Sequence, residues 1–422
     1  MWSEVLERFE QHAPVGVMAR VALEQALPAT WIDEVFEASR QRQYPRELMM
    51  STVVELMMLV SLGLRPSLHA AARKLQQLPV SLAALYNKVN RTEPTVLRAL
   101  VQGSAERLAP VMAQLGGQAS LPGHTLVVYD PDQALVTDIV ACEDAHESER
   151  TVARTLVESS QAGQLWLADS HFCTRTLLQG WQQTQAAFIV REHGHHPRLV
   201  QQGSWHEAGR CESGVLKEQS IGIEAEGVAW RRIQLVLDEP TRDGLTQLNL
   251  WSNLPPQVTA EQIANLYRRR WRIEGLFGRI ESVLHSEMRT LSHPRAALLG
   301  FATAVLAYNV LSLLKRCIEQ AHREQLPELD VSTYHLAVDV ASDYKGMLIA
   351  LAPSAWGSWS QASAERTTEY LLRLARRVSP RSVATSRRGP KKPKAKGYVE
   401  AGAVGKHVST ARVLRAAKGA TP

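Results

Sequence analysis

The hydrophobic pattern of this chain changes its period twice, and these two changes constrain the fold more than any other feature. From Trp2 to about Gly117 apolar residues recur at three- and four-residue steps, as one face of a helix requires. Short runs of strand-forming residues follow, and helical spacing returns at Thr259. A chain of 422 residues with this order predicts an α/β protein built from two or three structural units.

The composition is that of a globular protein from a reducing compartment. Hydrophobic residues make up 45% and charged residues 21%, which is ordinary soluble usage. The four cysteines form no Cys-x2-Cys pair. The first residues of the chain are acidic, whereas a signal peptide begins with basic residues. Leu48 to Leu64 and Ala296 to Leu314 are nearly uncharged, and we interpret both as buried core helices. We expect a soluble, cytoplasmic protein without a membrane partner.

Charge is distributed unevenly along the chain. The net charge is +6, yet residues 376–422 contain thirteen Lys and Arg against one acid, Glu400, so that this tail carries +12 and the rest −6. Each basic residue that meets a phosphate releases counterions, so a tail of this kind is typical of proteins with a polyanion partner. We expect nucleic acid, with Lys391, Lys392 and Lys394 as contacts, and a tail that is disordered without its partner. A merely solubilising tail is the alternative.

Several short strands are predicted in the β-rich middle of the chain. Thr125 to Tyr129 and Ala134 to Val140 are separated by turn residues and predict a hairpin. Leu165 to Ala168 is a short apolar strand that ends at Asp169. Alone, an aspartate at such a strand end is more often a turn residue or a helix cap than a ligand. The strand-rich stretch from Ala187 to Pro255 is interpreted as an inserted β module.

The sharpest pattern lies between Tyr267 and Glu274. At about 100° per residue, Tyr267 lies about +20° and Arg270 about −40° from Glu274, so the three share one helical face. An ion pair between Arg270 and Glu274 is the simpler reading of the two charges. An adjoining apolar stripe should dock this helix on a core and leave Glu274 at the edge. The stripe consists of Ile263, Leu266, Ile273, Phe277, Ile280 and Leu284. The opposite side is expected to carry Arg268, Arg272 and Arg279.

This stretch closely resembles the Tyr-x2-Arg-x3-Glu-x6-Lys motif of the insertion-sequence type 4 family of bacterial DDE transposases. The match is specific for Tyr267, Arg270 and Glu274, whereas Glu281 stands where the family has lysine. Asp169 stands after a buried strand, as the second catalytic aspartate of that family does.

The resemblance extends from about Leu121 to Leu314 and implies both a fold and a function. The fold would be an RNase H-like catalytic core with a β-rich insert. The function would be metal-dependent cleavage and transfer of DNA strands at transposon ends, by a homodimer in a synaptic complex. Mg²⁺, or Mn²⁺, would be held by carboxylates, because hard cations prefer oxygen ligands. Tyr267 and Arg270 would then contact DNA.

The pattern of the chain predicts five segments. In order they are a helical N-terminal domain (1–118), a first part of the core (119–186), a β-rich insert (187–256), a helical second part of the core (257–375) and the basic tail (376–422).

The first catalytic aspartate is where this sequence departs from the family. It should lie on a strand upstream of the hairpin, but no aspartate occurs between Asp33 and Asp130. We infer that a first strand is missing. Asp130, with Asp132 and Asp138 behind it, is the best substitute as catalytic and metal-binding residue, although it is also an ordinary turn residue. Whether the chain is an enzyme is therefore open: a DNA-binding remnant without activity and a sequence-tolerant nuclease are the alternatives.

Other candidate sites are weaker. His193, His195 and His196 lack companion ligands at zinc spacing and are interpreted as a solvated loop. Cys173 is expected to be buried, and His171 is either a neighbour of the site or a surface residue.

Two short helical stretches in the N-terminal domain allow a further interpretation. Ser67 to Leu75 and Ser81 to Val89 are separated by Leu78 and Pro79. They would fit a helix-turn-helix, which would place the second helix against DNA. Simple packing of two helices is the alternative.

Overall fold

The structure is a computed structural model that describes most of the chain. The described residues are 2–43, 47–73, 78–115, 126–130, 133–140, 153–195, 197–224, 227–241, 244–286 and 293–385. Met1–Ala384 form one compact unit. The predicted tail contacts Lys391, Lys392 and Lys394 lie outside the described residues.

Helices precede the first strand, as the three- and four-residue spacing predicts. The two short helices of the predicted helix-turn-helix each begin at a serine, because the hydroxyl groups of Ser67 and Ser81 accept hydrogen bonds from backbone N–H groups of the first turn. Residues 74–77 between these helices lie outside the described part. The helices are α1 (Trp2–His12), α2 (Pro14–Ala26), α3 (Ala29–Ser39), α4 (Met50–Ser61), α5 (Leu68–Ala72), α6 (Leu82–Val89) and α7 (Pro94–Ala113).

The strands form a hairpin and a larger mixed sheet. β1 (Leu126–Asp130) and β2 (Leu135–Val140) pair antiparallel, which confirms the predicted hairpin. In the larger sheet the order among the described strands is β3-β4-β9-β8-β7-β5, with β6 paired to β7. These strands are β3 (Leu165–Ala168), β4 (Ala187–Arg191), β5 (Gln201–Gln202), β6 (His206–Cys211), β7 (Gly214–Gly222), β8 (Trp230–Leu237) and β9 (Gln247–Ser252).

The pairing of β4 shows how the β-rich insert is attached. β4 runs parallel to β3, with Leu165 opposite Ala187. β4 also pairs antiparallel with β9, so the later strands extend the same sheet that contains β3. The α/β class predicted from the sequence is therefore observed, with a sheet that is mixed.

The remaining helices lie between the strands and after the last strand. The helix predicted from Thr259 begins there with a capping box, in which Thr259 and Gln262 bond each other's backbone N–H groups. It is interrupted by a 3-10 turn at Arg269–Trp271. The helices are α8 (Arg154–Glu158), α9 (Arg175–Gln183), α10 (Ala260–Arg268), α11 (Arg272–Leu284), α12 (Pro294–Ala321), α13 (Thr333–Ala350), α14 (Ala364–Ala375) and α15 (Pro380–Val383).

Two hydrophobic cores lie on either side of the hairpin. The first is formed by helices and includes Val127 and Tyr129 of β1, whereas the second lies against the larger sheet and is contacted by Val128. Successive side chains of a strand point to opposite faces, so β1 contributes to both cores. The predicted apolar stripe is divided in the same way. Ile263 packs in the sheet core and Ile280 in the helical core.

α12 is the central helix of the helical core. The stretch Arg295–Ala321 is long and apolar enough to cross a membrane by length and composition alone, with a mean hydropathy of 1.9. However, 83% of its most apolar window is buried inside the fold. It is therefore a core helix here, as predicted, and α4 is buried in the same core.

Two features differ from the sequence-based expectations. Arg279 was expected on the outer side of its helix, but it faces inward, where its Nη2 lies 3.4 Å from the Tyr308 hydroxyl of α12. This prediction was wrong because α11 docks on α12 along a wider face than the apolar stripe alone. The described structure also continues beyond the predicted start of the tail at 376. Val378 and Val383 are buried there, and α15 follows.

Candidate active site

Asp169 lies at the open end of a buried strand. Trp166 to Ala168 of β3 are buried, and the chain leaves the sheet at Asp169, whose side chain is 35% exposed. Oδ1 of Asp169 accepts a hydrogen bond of 2.7 Å from the Ser170 N–H, which starts a 3-10 turn. The expected capping role is thus present. It uses one carboxylate oxygen, and Oδ2 makes no hydrogen bond within the described structure, so the carboxylate retains acceptor capacity towards solvent.

Arg191 lies next to this carboxylate, because β4 is the parallel neighbour of β3. Parallel strands end at the same edge of a sheet, and Arg191 is the last residue of β4 as Asp169 follows the last residue of β3. Nη1 of Arg191 is 4.0 Å from Oδ1 of Asp169. Arg191 was not predicted as a site residue from the sequence. The available signal was a charged residue that directly follows the apolar run Phe188 to Val190.

Tyr267 and Arg270 approach this region from the helical side. Tyr267 is 7% exposed near the end of α10, and the guanidinium carbon of Arg270 is 5.7 Å from the centre of its ring. Burial raises the pKa of Tyr267 to about 12; the negative charge of Asp169 acts in the same direction, whereas Arg270 and Arg191 oppose it. Asp169, Arg191 and Arg270 therefore lie within electrostatic range of the Tyr267 hydroxyl.

Glu274 follows this cluster along the chain. Its backbone is in the first turn of α11, but its side chain lies outside the described part of the structure. The 3-10 turn between Tyr267 and Glu274 has about 120° per residue instead of about 100°, so it rotates the helix by a further ~60° over three residues. Viewed down the helix axis, Glu274 therefore moves from about 20° on one side of Tyr267 to about 40° on the opposite side. Both remain on one broad side of the helix.

Asp130 is the last residue of β1 and is 6% exposed. Oδ1 of Asp130 accepts a hydrogen bond of 2.8 Å from the Gln133 N–H, so it caps the hairpin turn. Like Asp169, it stands where a buried strand ends. Asp138 is engaged elsewhere, because both its oxygens accept bonds from Arg98, at 2.8 and 2.6 Å. Asp132 lies outside the described residues.

The described side chains contain no group of three His, Cys, Asp or Glu that is placed to hold a metal ion. The Glu274 side chain is not among these described side chains. The donor chemistry nevertheless suits a hard divalent cation, because carboxylate oxygens are available at Asp169. His193 is half-buried and His195 exposed, with ring centres 6.1 Å apart, and His196 lies outside the described residues. Cys173 is buried, as expected.

Comparison with known proteins identifies the class to which this region is similar. Residues 116–310 match the family model of the transposase DDE domain. The matched region covers somewhat less than half of the chain and contains the hairpin, the larger sheet, Asp169 and the backbone of Glu274. The match supports the DDE transposase family for this part of the protein. A search of curated proteins found no match.

Proposed function

We propose that this protein is a DNA transposase of the insertion-sequence type 4 family, which cleaves and transfers DNA strands at transposon ends with Mg²⁺ or Mn²⁺. The observation that carries the proposal is the convergence of Asp169 with the Tyr267 and Arg270 pair, inside the region that matches a transposase DDE domain. An RNase H-like core, cytoplasmic localisation and a homodimer in a synaptic complex are parts of the same proposal.

The chemistry explains why these residue types are needed. Strand cleavage requires an attacking oxygen, a leaving oxygen and a negative phosphate to be stabilised together, and divalent ions bound between carboxylates supply this stabilisation. Asp169, Glu274 and Asp130 would provide the carboxylates. Arg270 would neutralise a phosphate of the DNA, as a planar guanidinium suits phosphate oxygens. Tyr267 would support Arg270 through the contact of its ring.

Double-stranded DNA is the proposed partner at both transposon ends and target. Lys391, Lys392 and Lys394 would contribute phosphate contacts from the basic tail. Arg191 joins the proposed contacts, because it lies beside Asp169 at the edge of the sheet.

The family match does not favour a catalytically inactive remnant. Asp130 supports activity by its position, since it ends a buried strand as Asp169 does. We propose that it is the first carboxylate of the set. On this proposal, the hairpin itself contains the strand that is missing from the expected position in the sequence.

The experiment measures Mg²⁺-dependent cleavage of DNA that carries the element's own terminal repeats. It compares the unaltered chain with single-residue variants. Asp169→Asn, Glu274→Ala and Asp130→Asn should each abolish cleavage and leave salt-sensitive DNA binding in place. The matched control is Glu261→Gln, which changes an exposed carboxylate on the neighbouring α10 and should retain activity.

Three results would contradict the proposal. DNA binding by the unaltered chain without cleavage at any Mg²⁺ or Mn²⁺ concentration would favour the remnant. Equal cleavage of DNA without the repeats would favour a nuclease. Full activity of Asp130→Asn would remove that residue from the site.

A further inference from the structure

Three polar side chains from three elements meet beside the hairpin, two of them buried and Arg279 half-buried. Tyr129 lies on β1, Tyr308 on α12 and Arg279 on α11. The two tyrosine hydroxyl oxygens are 3.2 Å apart, and Nη2 of Arg279 donates to the Tyr308 hydroxyl at 3.4 Å. The Arg279 guanidinium carbon is also 5.7 Å from the centre of the Tyr308 ring. Both tyrosines are buried, with 3% and 2% of their surface exposed.

Packing alone does not account for this cluster. Phenylalanine and leucine would fill the same space without burying two hydroxyls and part of a guanidinium, which is costly unless each group is hydrogen-bonded. Hydrogen bonds are directional, although both contacts here are longer than the usual range. The cluster therefore pairs specific groups of β1, α12 and α11 with one another, which apolar contacts would not do.

The next residue of α12 holds the other strand of the hairpin. Oδ1 of Asn309 accepts from the Val136 N–H at 2.7 Å, and its Nδ2 donates to the Val136 carbonyl at 2.8 Å. The ladder shifts register next to this point, between Val128 and Tyr129 of β1. A β-bulge of this kind redirects side chains and is frequent beside active sites. α12 thus positions both strands of the hairpin.

The cluster lies next to two of the proposed carboxylates along the chain. Tyr129 directly precedes Asp130, and Arg279 is five residues beyond Glu274 on the same helix, α11. We propose that Arg279, Tyr308 and Tyr129 are positioning residues, which set the separation between the strand that ends at Asp130 and the helix that carries Glu274. This inference rests on the proposed function, because it assigns both carboxylates to one divalent-cation site.

The test removes one hydroxyl and leaves the ring in place. Tyr308→Phe breaks both bonds of the cluster. The matched control is Tyr344→Phe, which removes another buried tyrosine hydroxyl whose bond, at 2.8 Å from Arg20, joins α2 to α13. Both variants should lose some thermal stability. Only Tyr308→Phe should weaken cation binding, since groups that orient metal ligands typically contribute about tenfold or more to affinity.

Two readouts are needed. Mn²⁺ binding to the full chain without DNA, followed by electron paramagnetic resonance, should weaken by about tenfold in Tyr308→Phe and stay unchanged in Tyr344→Phe. The Mg²⁺ concentration for half-maximal cleavage should rise in the same proportion, with unchanged DNA affinity. Tyr129→Phe breaks the bond to Tyr308 and leaves the bond from Arg279 in place, so it should weaken cation binding in the same direction as Tyr308→Phe but by less.

The outcomes separate this inference from the proposed function. If the unaltered chain binds Mn²⁺ and cleaves DNA while Tyr308→Phe matches Tyr344→Phe in both readouts, the positioning role is overturned and the proposed function stands. If the unaltered chain neither binds Mn²⁺ nor cleaves, both are overturned.

Discussion

Asn309 provides the sharpest test of how the hairpin is held. Asn309→Ala removes the side-chain amide that bonds the N–H and the carbonyl of Val136, and both residues are fully buried. Leaving a buried donor or acceptor without a partner costs about 1–3 kcal/mol, so two such groups should cost roughly 2–6 kcal/mol. Whole domains are stable by only about 5–15 kcal/mol, so this change is large.

Hydrogen–deuterium exchange measures this loss where it occurs. Peptides that cover 126–140 should exchange faster in Asn309→Ala, because the hairpin opens at a lower free energy. The matched control is Asn253→Ala. Its amide bonds the Phe188 N–H at 2.7 Å and the Ala186 carbonyl at 2.9 Å, so the change should affect β4 and leave the hairpin protected.

Two results would refute this reasoning. A stability loss below about 1 kcal/mol in denaturant titration would mean that water or a small shift satisfies both backbone groups of Val136. Faster exchange spread evenly over the whole chain would mean that Asn309 supports the general core and not the hairpin.

Three further predictions concern the site edge, pH and the sheet. Arg191→Ala should reduce the slope of log affinity against log salt for DNA by about 0.9, the contribution of one phosphate contact, as measured by filter binding; an unchanged slope would exclude the contact. Burial raises the pKa of Asp343 from 3.8 to about 6, so the folded state retains a proton that the unfolded chain has released. Stability is therefore lost as pH rises from about 4 to about 6. Asp343→Asn should raise the unfolding temperature at pH 7.5 but not at pH 4, and an equal effect at both would contradict the assignment. Gly214→Ala should destabilise the β7–β8 pair, because φ is 155° and a Cβ would lie 1.9 Å from the Val236 carbonyl oxygen. Gly194→Ala, where a Cβ meets open space, is its control in thermal unfolding, and equal melting temperatures would contradict the predicted strain.

The sequence alone determined the features that depend on neighbouring residues. The hairpin, the strand that ends at Asp169 and the helix that begins at Thr259 were all predicted, because turn residues, strand periodicity and capping act over a few positions. The buried character of α12 followed from its uncharged length.

Only the tertiary structure decided which distant residues meet. Arg191 lies beside Asp169 because β4 pairs parallel to β3, and no local pattern specifies that pairing. Arg279 faces inward because α11 docks on α12, which presents the Tyr308 hydroxyl to it. Helical periodicity predicts the angle at which a side chain leaves its helix. It does not predict which surface will cover that angle, because the covering residues come from elsewhere in the chain.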